Sequence, residues 1–279
     1  MFRPRRERLR ALSINRMIPN ILTMLALCAG LTALRYGLEQ KWEQAVLSLV
    51  VAAILDTLDG RIARILNETS KFGAELDSLS DFVGFGVAPA LLLYLWTMNS
   101  AGPVGWVLVL LFSVCCALRL ARFNTLVDAP EPPAWAKNYF TGVPAPAGAG
   151  LVLLPMILSF QIDAPWLRSP ILTGAIIFIV ACLLVSRLPT YSFKTFRVQH
   201  RMVLFTMLGV GILAALSVSA PWLTLSIILA AYLISFPFAI RSFRRLETEA
   251  DEFHKKGETV PADFGEPDEE NNNDNQAAE

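Results

Sequence analysis

The sequence has only two histidines, His200 and His254, and four cysteines, Cys28, Cys115, Cys116 and Cys182. The cysteines all fall in apolar runs with no paired spacing and no histidine nearby, which argues against a zinc site or a disulfide framework. They read as small buried hydrophobes. One histidine lies near a loop and the other in a polar tail, so imidazole chemistry at the core has little to draw on. No small-residue cleavage site follows the N-terminal "MFRPRRERLRALS", and the apolar run after it reads as a retained first span. Nor is there an internal repeat of the kind that marks the duplicated halves of a transporter. Net charge is formally zero, but that is an average of two opposed segments. Up to Arg245 there are 22 Lys and Arg against 12 Asp and Glu, and from Leu246 onward 2 against 12.

What the chain does have is apolar length. Hydrophobic residues make up 54% of its 279 positions and the mean hydropathy is +0.48, too apolar for a soluble domain of this size. A helix needs about 17–25 residues to cross a bilayer. Eight runs are candidates, the fifth and sixth short and in need of flanking residues or deeper burial: Ile18–Leu38, Ala45–Leu66, Phe72–Met98, Val104–Arg122, Ala145–Phe160, Pro170–Val185, Met202–Val218 and Trp222–Ile240. Pro19 is expected at the start of the first, where a missing N–H costs nothing. The expected fold is an all-α integral membrane protein of about eight transmembrane helices over residues 18–245. A basic arm, residues 1–17, precedes it, and an acidic tail, residues 246–279, follows, expected to be disordered from about Asp251. With eight spans, 19 of the 22 basic residues before the tail fall on one side and only Arg35, Lys41 and Arg168 on the other. The positive-inside rule then puts both termini in the cytoplasm.

Against this background the stretch "LDTLDGRIARILNETSKFGAELDSLSD", Leu55 to Asp81, is conspicuous. Asp56 and Asp59 are three apart near the end of the second span; Asp77 and Asp81 are four apart at the start of the third. Both spacings place a pair on one helix face, and the short connection makes the helices antiparallel neighbours, so the four carboxylates converge. A carboxylate at mid-membrane costs about 2.5–3.5 kcal/mol, and four together repel. Arg61 and Arg64 would balance them in a structural ion-pair cluster. Alternatively, short carboxylates on stiff helices suit a hard divalent cation shared with a substrate phosphate. Two such ions would polarise a phosphoryl group and its leaving oxygen together. Gly60 and Gly73 would clear side-chain bulk beside them. A cation channel or proton-coupled transporter also places acids among membrane helices, but spreads them through the depth along a pathway.

The pattern Asp56-x-x-Asp59-Gly60-x-x-Ala63-Arg64, eight residues, then Gly73-x-x-x-Asp77-x-x-x-Asp81 resembles the signature of the CDP-alcohol phosphotransferase family. The resemblance implies a membrane-embedded helical bundle that moves a phosphatidyl group from a CDP-linked donor to an alcohol and releases CMP. It implies that Asp56, Asp59, Asp77 and Asp81 surround one or two divalent ions, Mg²⁺ or Mn²⁺, and that Asp81 takes the proton of the acceptor hydroxyl. Gly60, Arg64 and Gly73 would line the nucleotide and pyrophosphate pocket, and within "IPNILT" Asn20 and Thr23 would face the donor. Two later segments, "RLARFN" with "YFTGVPAPAGAG" and "SRLPTYSFK", resemble those of serine-accepting members. L-Serine is therefore the expected acceptor and CDP-diacylglycerol the expected donor. Arg119, Arg122, Asn124, Arg187 and Lys194 are candidates for holding the serine carboxylate or donor phosphates. Glycerol phosphate, inositol phosphate and choline remain alternative acceptors. The resemblance also implies a homodimer in the cytoplasmic membrane of a bacterium, with the site on the cytoplasmic side, membrane lipids around it and no nucleic-acid partner.

Overall fold

The computed structural model describes residues 14–66, 70–127, 139–186, 189–191 and 203–255. Helix α1 spans Ile14–Leu38 and α2 Trp42–Ile65. Helix α3, Lys71–Asp81, passes through a π-helical segment, Phe82–Val87, into α4, Ala88–Trp96. A 3₁₀ turn then leads to α5, Gly102–Val127. Helices α6, Ala145–Val152, and α7, Leu154–Ser159, are followed by α8, Pro170–Val185. The last pair are α9, Val203–Ser219, and α10, Pro221–Lys255. Among the described residues the only strands are β1, Tyr139–Thr141, and β2, Pro189–Tyr191, an antiparallel pair with Phe140 opposite Thr190.

The protein is thus all-helical in class, and helix covers most of the described part of each of the eight apolar runs. Among the described residues, four stretches are long and apolar enough to cross a bilayer: Met17–Leu38, Lys71–Trp96, Met98–Thr125 and Pro221–Phe243. Pro170–Val185 and Thr206–Ser219 are shorter apolar helices. The side chains facing outward are those a lipid solvent would select. Leu204, Met207 and Val218 on α9 are 74%, 70% and 86% exposed, a density of bare apolar surface that water would not tolerate. Inside, Leu92, Leu93, Phe112, Leu151, Met156 and Ile177 form a buried core shared by α4 to α8.

Three details differ from expectation. Helix α1 begins at Ile14, so Pro19 lies inside it, one turn past the position where its missing N–H would be free of cost. Helix α10 stays helical to Lys255, overrunning the expected tail boundary at residue 246. Cys28 and Cys182 face outward, while Cys115 and Cys116 are buried; all four are free thiols.

Helix α1 packs alongside α3 and α4 in parallel and in register. A Cβ on Gly73 would sit 3.0 Å from Asn20 Oδ1; one on Gly30 would sit 3.0 Å from Gly84 Cα; one on Gly37 would run into Leu92. At the Gly37 end, the α1–α2 turn carries Gln40 at φ 58° and an exposed Arg35–Glu39–Lys41 cluster. Lys41 and then Arg35 hold the Glu39 carboxyl below its ordinary range. Arg168, 5.8 Å over the Trp96 ring, accepts from Thr97 through its carbonyl at the end of α4. The three expected outlying cations therefore share one end of the bundle, opposite the acidic residues.

Candidate active site

Antiparallel α2 and α3 bring the acidic residues together as their spacing requires. One carboxylate oxygen each from Asp56, Asp59 and Asp77 lie within 4.8 Å of one another. Asp59 is buried, 3% exposed, and Asp56 and Asp77 are half-buried. Asp81, the last residue of α3, lies against Asp56. Its Oδ1 is buried and has no hydrogen-bond partner. Among the described residues, no ion pair joins these four carboxylates to Arg61, Arg64 or any other cation, and both of those arginines are exposed. The purely structural ion-pair cluster is not what the chain builds.

The donor set fits a hard divalent cation: oxygen only, several carboxylates, and stiff helices behind them. The unpartnered Asp81 oxygen adds to the case, since a buried acceptor left without a donor is costly unless a cation or proton meets it. An Asp cluster of this kind can bind a divalent metal, the class of cofactor the chain's architecture calls for.

Local sequence explains how the cluster is held. Ser70 caps α3, its hydroxyl accepting from the Gly73 N–H at 3.0 Å. Thr23, 4% exposed on α1, places its Oγ1 2.6 Å from Asp59 Oδ2. Ser80 donates to the Thr23 carbonyl at 3.2 Å. Immediately after Asp81 comes the π-helical segment, a feature that often marks functional positions. The Ser113 hydroxyl bonds the Gly86 carbonyl at 3.2 Å within it.

The expected site residues divide into several groups. Gly60 does leave open space, since a Cβ there would meet only Arg64 Nη2, at 3.9 Å. Gly73 does not; its missing side chain admits Asn20 and Ser70, so Asn20 is packed against the acidic helix. Thr23 faces Asp59 rather than open space. Arg119 reaches the cluster from α5: it is half-buried, its charge is felt at Asp81, and its Nε donates to the Val143 carbonyl. Asn124 ties α5 to α3 through its Nδ2, 2.9 Å from Ser78 Oγ. Arg122 is half-buried on the same helix, with no side-chain bond to the cluster among the described residues. Arg187 and Lys194 lie outside the described residues.

Sequence reasoning missed Ser78, Ser80 and Tyr232. The two serines lie inside the quoted acidic stretch, Ser80 three residues after Asp77 and Ser78 three before Asp81, a helical spacing that would have raised them. Tyr232 of α10 approaches Arg119, and in sequence it is one more aromatic in an apolar run.

A groove of about 410 Å³ also runs along another face of α2, lined by Val46, Leu49, Ala53 and Leu229 among others, with Thr57 and Arg61 toward the end of the helix that carries Asp56 and Asp59; none of the four aspartates lines it.

Comparison with known proteins agrees with this geometry. A family model described as CDP-alcohol phosphatidyltransferase matches residues 16–186, and a second, CDP-alcohol phosphatidyltransferase 2, matches residues 201–239. A Mycobacterium leprae protein named CDP-diacylglycerol–serine O-phosphatidyltransferase is 43% identical over 254 residues, 91% of this chain and 83% of that protein. A Mycobacterium tuberculosis protein of the same name is 44% identical over 230 residues, 82% of this chain and 80% of its own. A Helicobacter pylori protein, also so named, is 34% identical over 218 residues, 78% of this chain and 88% of its own. The first model covers α1 to α8, including all four aspartates and both motif glycines, and on that match the chain belongs to the CDP-alcohol phosphatidyltransferase family.

Proposed function

We propose that this protein transfers the phosphatidyl group of CDP-diacylglycerol to the hydroxyl of L-serine, giving phosphatidylserine and CMP. The observation that carries the reading is the convergence of Asp56, Asp59 and Asp77 within 4.8 Å, with Asp81 beside them. The acceptor is supported by the relatives, which are named for transfer to serine.

Asp56, Asp59, Asp77 and Asp81 would hold the divalent metal, Mg²⁺ or Mn²⁺ and by the number of carboxylates two ions. When bound it neutralises the pyrophosphate and the charge that develops on departing CMP. Gly60 keeps a lane open beside Asp59 for the nucleotide, and exposed Arg64 at its edge meets donor phosphate. One acyl chain of the donor lies in the groove along α2, whose apolar lining matches it and whose Arg61 marks the phosphate end.

Asp81 takes the proton from the serine hydroxyl; the serine oxygen forms its bond to the phosphorus bearing diacylglycerol, and the bond from that phosphorus to CMP breaks. Arg119 grips the serine carboxylate. Its Nε is committed to the Val143 carbonyl, so the two terminal nitrogens remain as a fork that matches a carboxylate. Asn124 is engaged with Ser78 and acts on the shape of the pocket wall. Arg122, Arg187 and Lys194 supply further positive charge for donor phosphate.

The protein crosses the membrane eight times, with both termini and the acidic cluster on the cytoplasmic side of a bacterial inner membrane, and works as a homodimer. Loop charge supports the orientation, and the shared end of Arg35, Lys41 and Arg168 agrees with it.

The test is an acceptor panel. Purified protein with CDP-diacylglycerol is expected to release CMP only with a divalent cation, and to give a ninhydrin-positive lipid with L-serine. Glycerol phosphate, inositol phosphate and choline are expected to be inert. CMP release that persists in chelator refutes the metal reading, and turnover with another acceptor but not serine refutes the acceptor.

A further inference from the structure

Thr23 is hydrogen-bonded to both acidic helices. Its Oγ1 is 2.6 Å from Asp59 Oδ2 on α2 and 3.0 Å from the Pro19 carbonyl, and its own carbonyl accepts from Ser80 Oγ on α3. Thr23, Asp59 and Ser80 are all buried, at 4%, 3% and 5% exposure. We infer that Thr23 is a positioning residue for the metal site: its hydroxyl fixes the rotation of the Asp59 carboxylate, and its carbonyl fixes the height of α3 through Ser80. The inference rests on the metal reading of the cluster.

Three physical points support it. A threonine hydroxyl has one proton, and here two oxygens compete for it. The shorter contact, to a carboxylate, takes it, because a charge-assisted hydrogen bond outweighs a neutral one. The contact to Pro19 then serves to select the rotamer, since a helical Thr whose Oγ1 turns back toward the i−4 carbonyl has little χ1 freedom left. The hydroxyl is therefore aimed before any ligand arrives. Finally, the bond from Thr23 holds one oxygen of Asp59 and so sets the orientation of a carboxylate that meets Asp56 and Asp77 in the cluster. Outer partners of this kind orient a ligand and are worth about 10–100-fold in metal affinity.

This assigns Thr23 a role different from contact with the donor. A donor contact would show in the Michaelis constant for CDP-diacylglycerol. A positioning role shows in metal affinity measured with no donor present.

The experiment uses the full-length protein in detergent and follows Mn²⁺ binding by calorimetry or by electron paramagnetic resonance, alongside CMP release. Thr23→Val removes the hydroxyl and keeps the shape; it is expected to weaken Mn²⁺ binding at least tenfold. Thr23→Ser keeps the hydroxyl and is expected to stay within about threefold of wild type, by the same logic of outer-partner effects. If Thr23→Val fails to fold, Thr23→Ala, which introduces no bulk, replaces it. Wild-type Mn²⁺ affinity in Thr23→Val, or an equal loss in Thr23→Ser, overturns the positioning role. A wild-type protein that binds no Mn²⁺ overturns the metal reading itself, and the Thr23 assignment with it. A changed Michaelis constant for the donor at unchanged Mn²⁺ affinity returns Thr23 to the donor pocket.

Discussion

Gly60 gives a test in which stability and activity are expected to move in opposite directions. It lies inside α2, one residue past Asp59. The protein itself offers no steric reason for glycine there, because a Cβ would meet only the end of Arg64, at 3.9 Å. In a helix interior Gly is worse than Ala by about 0.8–1.0 kcal/mol. Gly60→Ala is therefore expected to stabilise the fold by about 0.5–1 kcal/mol, raising the unfolding midpoint by about 2 °C. If the open lane is where the nucleotide passes, the same methyl group stands in its way. A displacement of about 1 Å in a bound reactant costs on the order of 100-fold in rate, so kcat/KM for CDP-diacylglycerol should fall at least tenfold. Mn²⁺ binding should be unchanged, since no carboxylate moves. The measurements are a detergent melting curve, a donor-dependence curve of CMP release and a Mn²⁺ titration. Full activity in a stabilised Gly60→Ala protein would refute the argument, because the space would then be unused. Gly73 makes the contrast: a Cβ there meets Asn20 Oδ1 at 3.0 Å and Ser70 Oγ at 3.1 Å, so its missing side chain is accounted for by packing alone.

Two further outcomes follow from the same geometry. Asp81→Asn keeps the volume of the side chain but cannot accept the serine proton, and general-base loss of about 100- to 10,000-fold in kcat is expected; donor binding should survive, and near wild-type turnover would remove Asp81 from the role. Gly30→Val brings a Cβ to 3.0 Å from the Gly84 backbone, where neither side can rotate away, so a loss of about 1–3 kcal/mol in stability is expected. An unshifted melting curve would show that α1 does not press on the π-helical segment.

The acidic motif was legible because its meaning is local. Spacings of three and four on two helices joined by a short turn define one face each, and Asp56, Asp59 and Asp77 meet as that arithmetic requires. The apolar runs were legible for the same reason, a long hydrophobic stretch having few places to go. What the motif could not reveal was which neighbours supply hydrogen bonds. Thr23 reads as a pocket residue in "IPNILT", yet its direction depends on how α1 rotates against α2, which is a packing outcome. Gly60 and Gly73 look alike in sequence, but the first borders open space and the second borders Asn20, and only the position of α1 separates them. Pro19 was misplaced because nothing in an apolar stretch marks where its first turn begins. Arg119 was one of four basic candidates of equal standing; what singles it out is the Val143 carbonyl, 24 residues away in the chain.

The π-helical segment links two of these assignments. It begins at the residue after Asp81 and holds two buried glycines. Gly84 faces Gly30 of α1, and Gly86 faces Cys116 of α5, where a Cβ would lie 3.2 Å from Cys116 Sγ. Gly30 lets α1, and Gly86 lets α5, approach the same turn of backbone, whereas a Cβ on Gly84 itself would meet nothing. Cys116 and Arg119 are three residues apart, hence on one face of α5. The close approach at Gly86 therefore fixes how far along α5 the Arg119 guanidinium sits relative to Asp81, and the approach at Gly84 fixes Asp81 against the helix that carries Thr23. The proposed base, the proposed carboxylate grip and the proposed metal-positioning residue are not three independent placements. They are set by two helix crossings on one short segment.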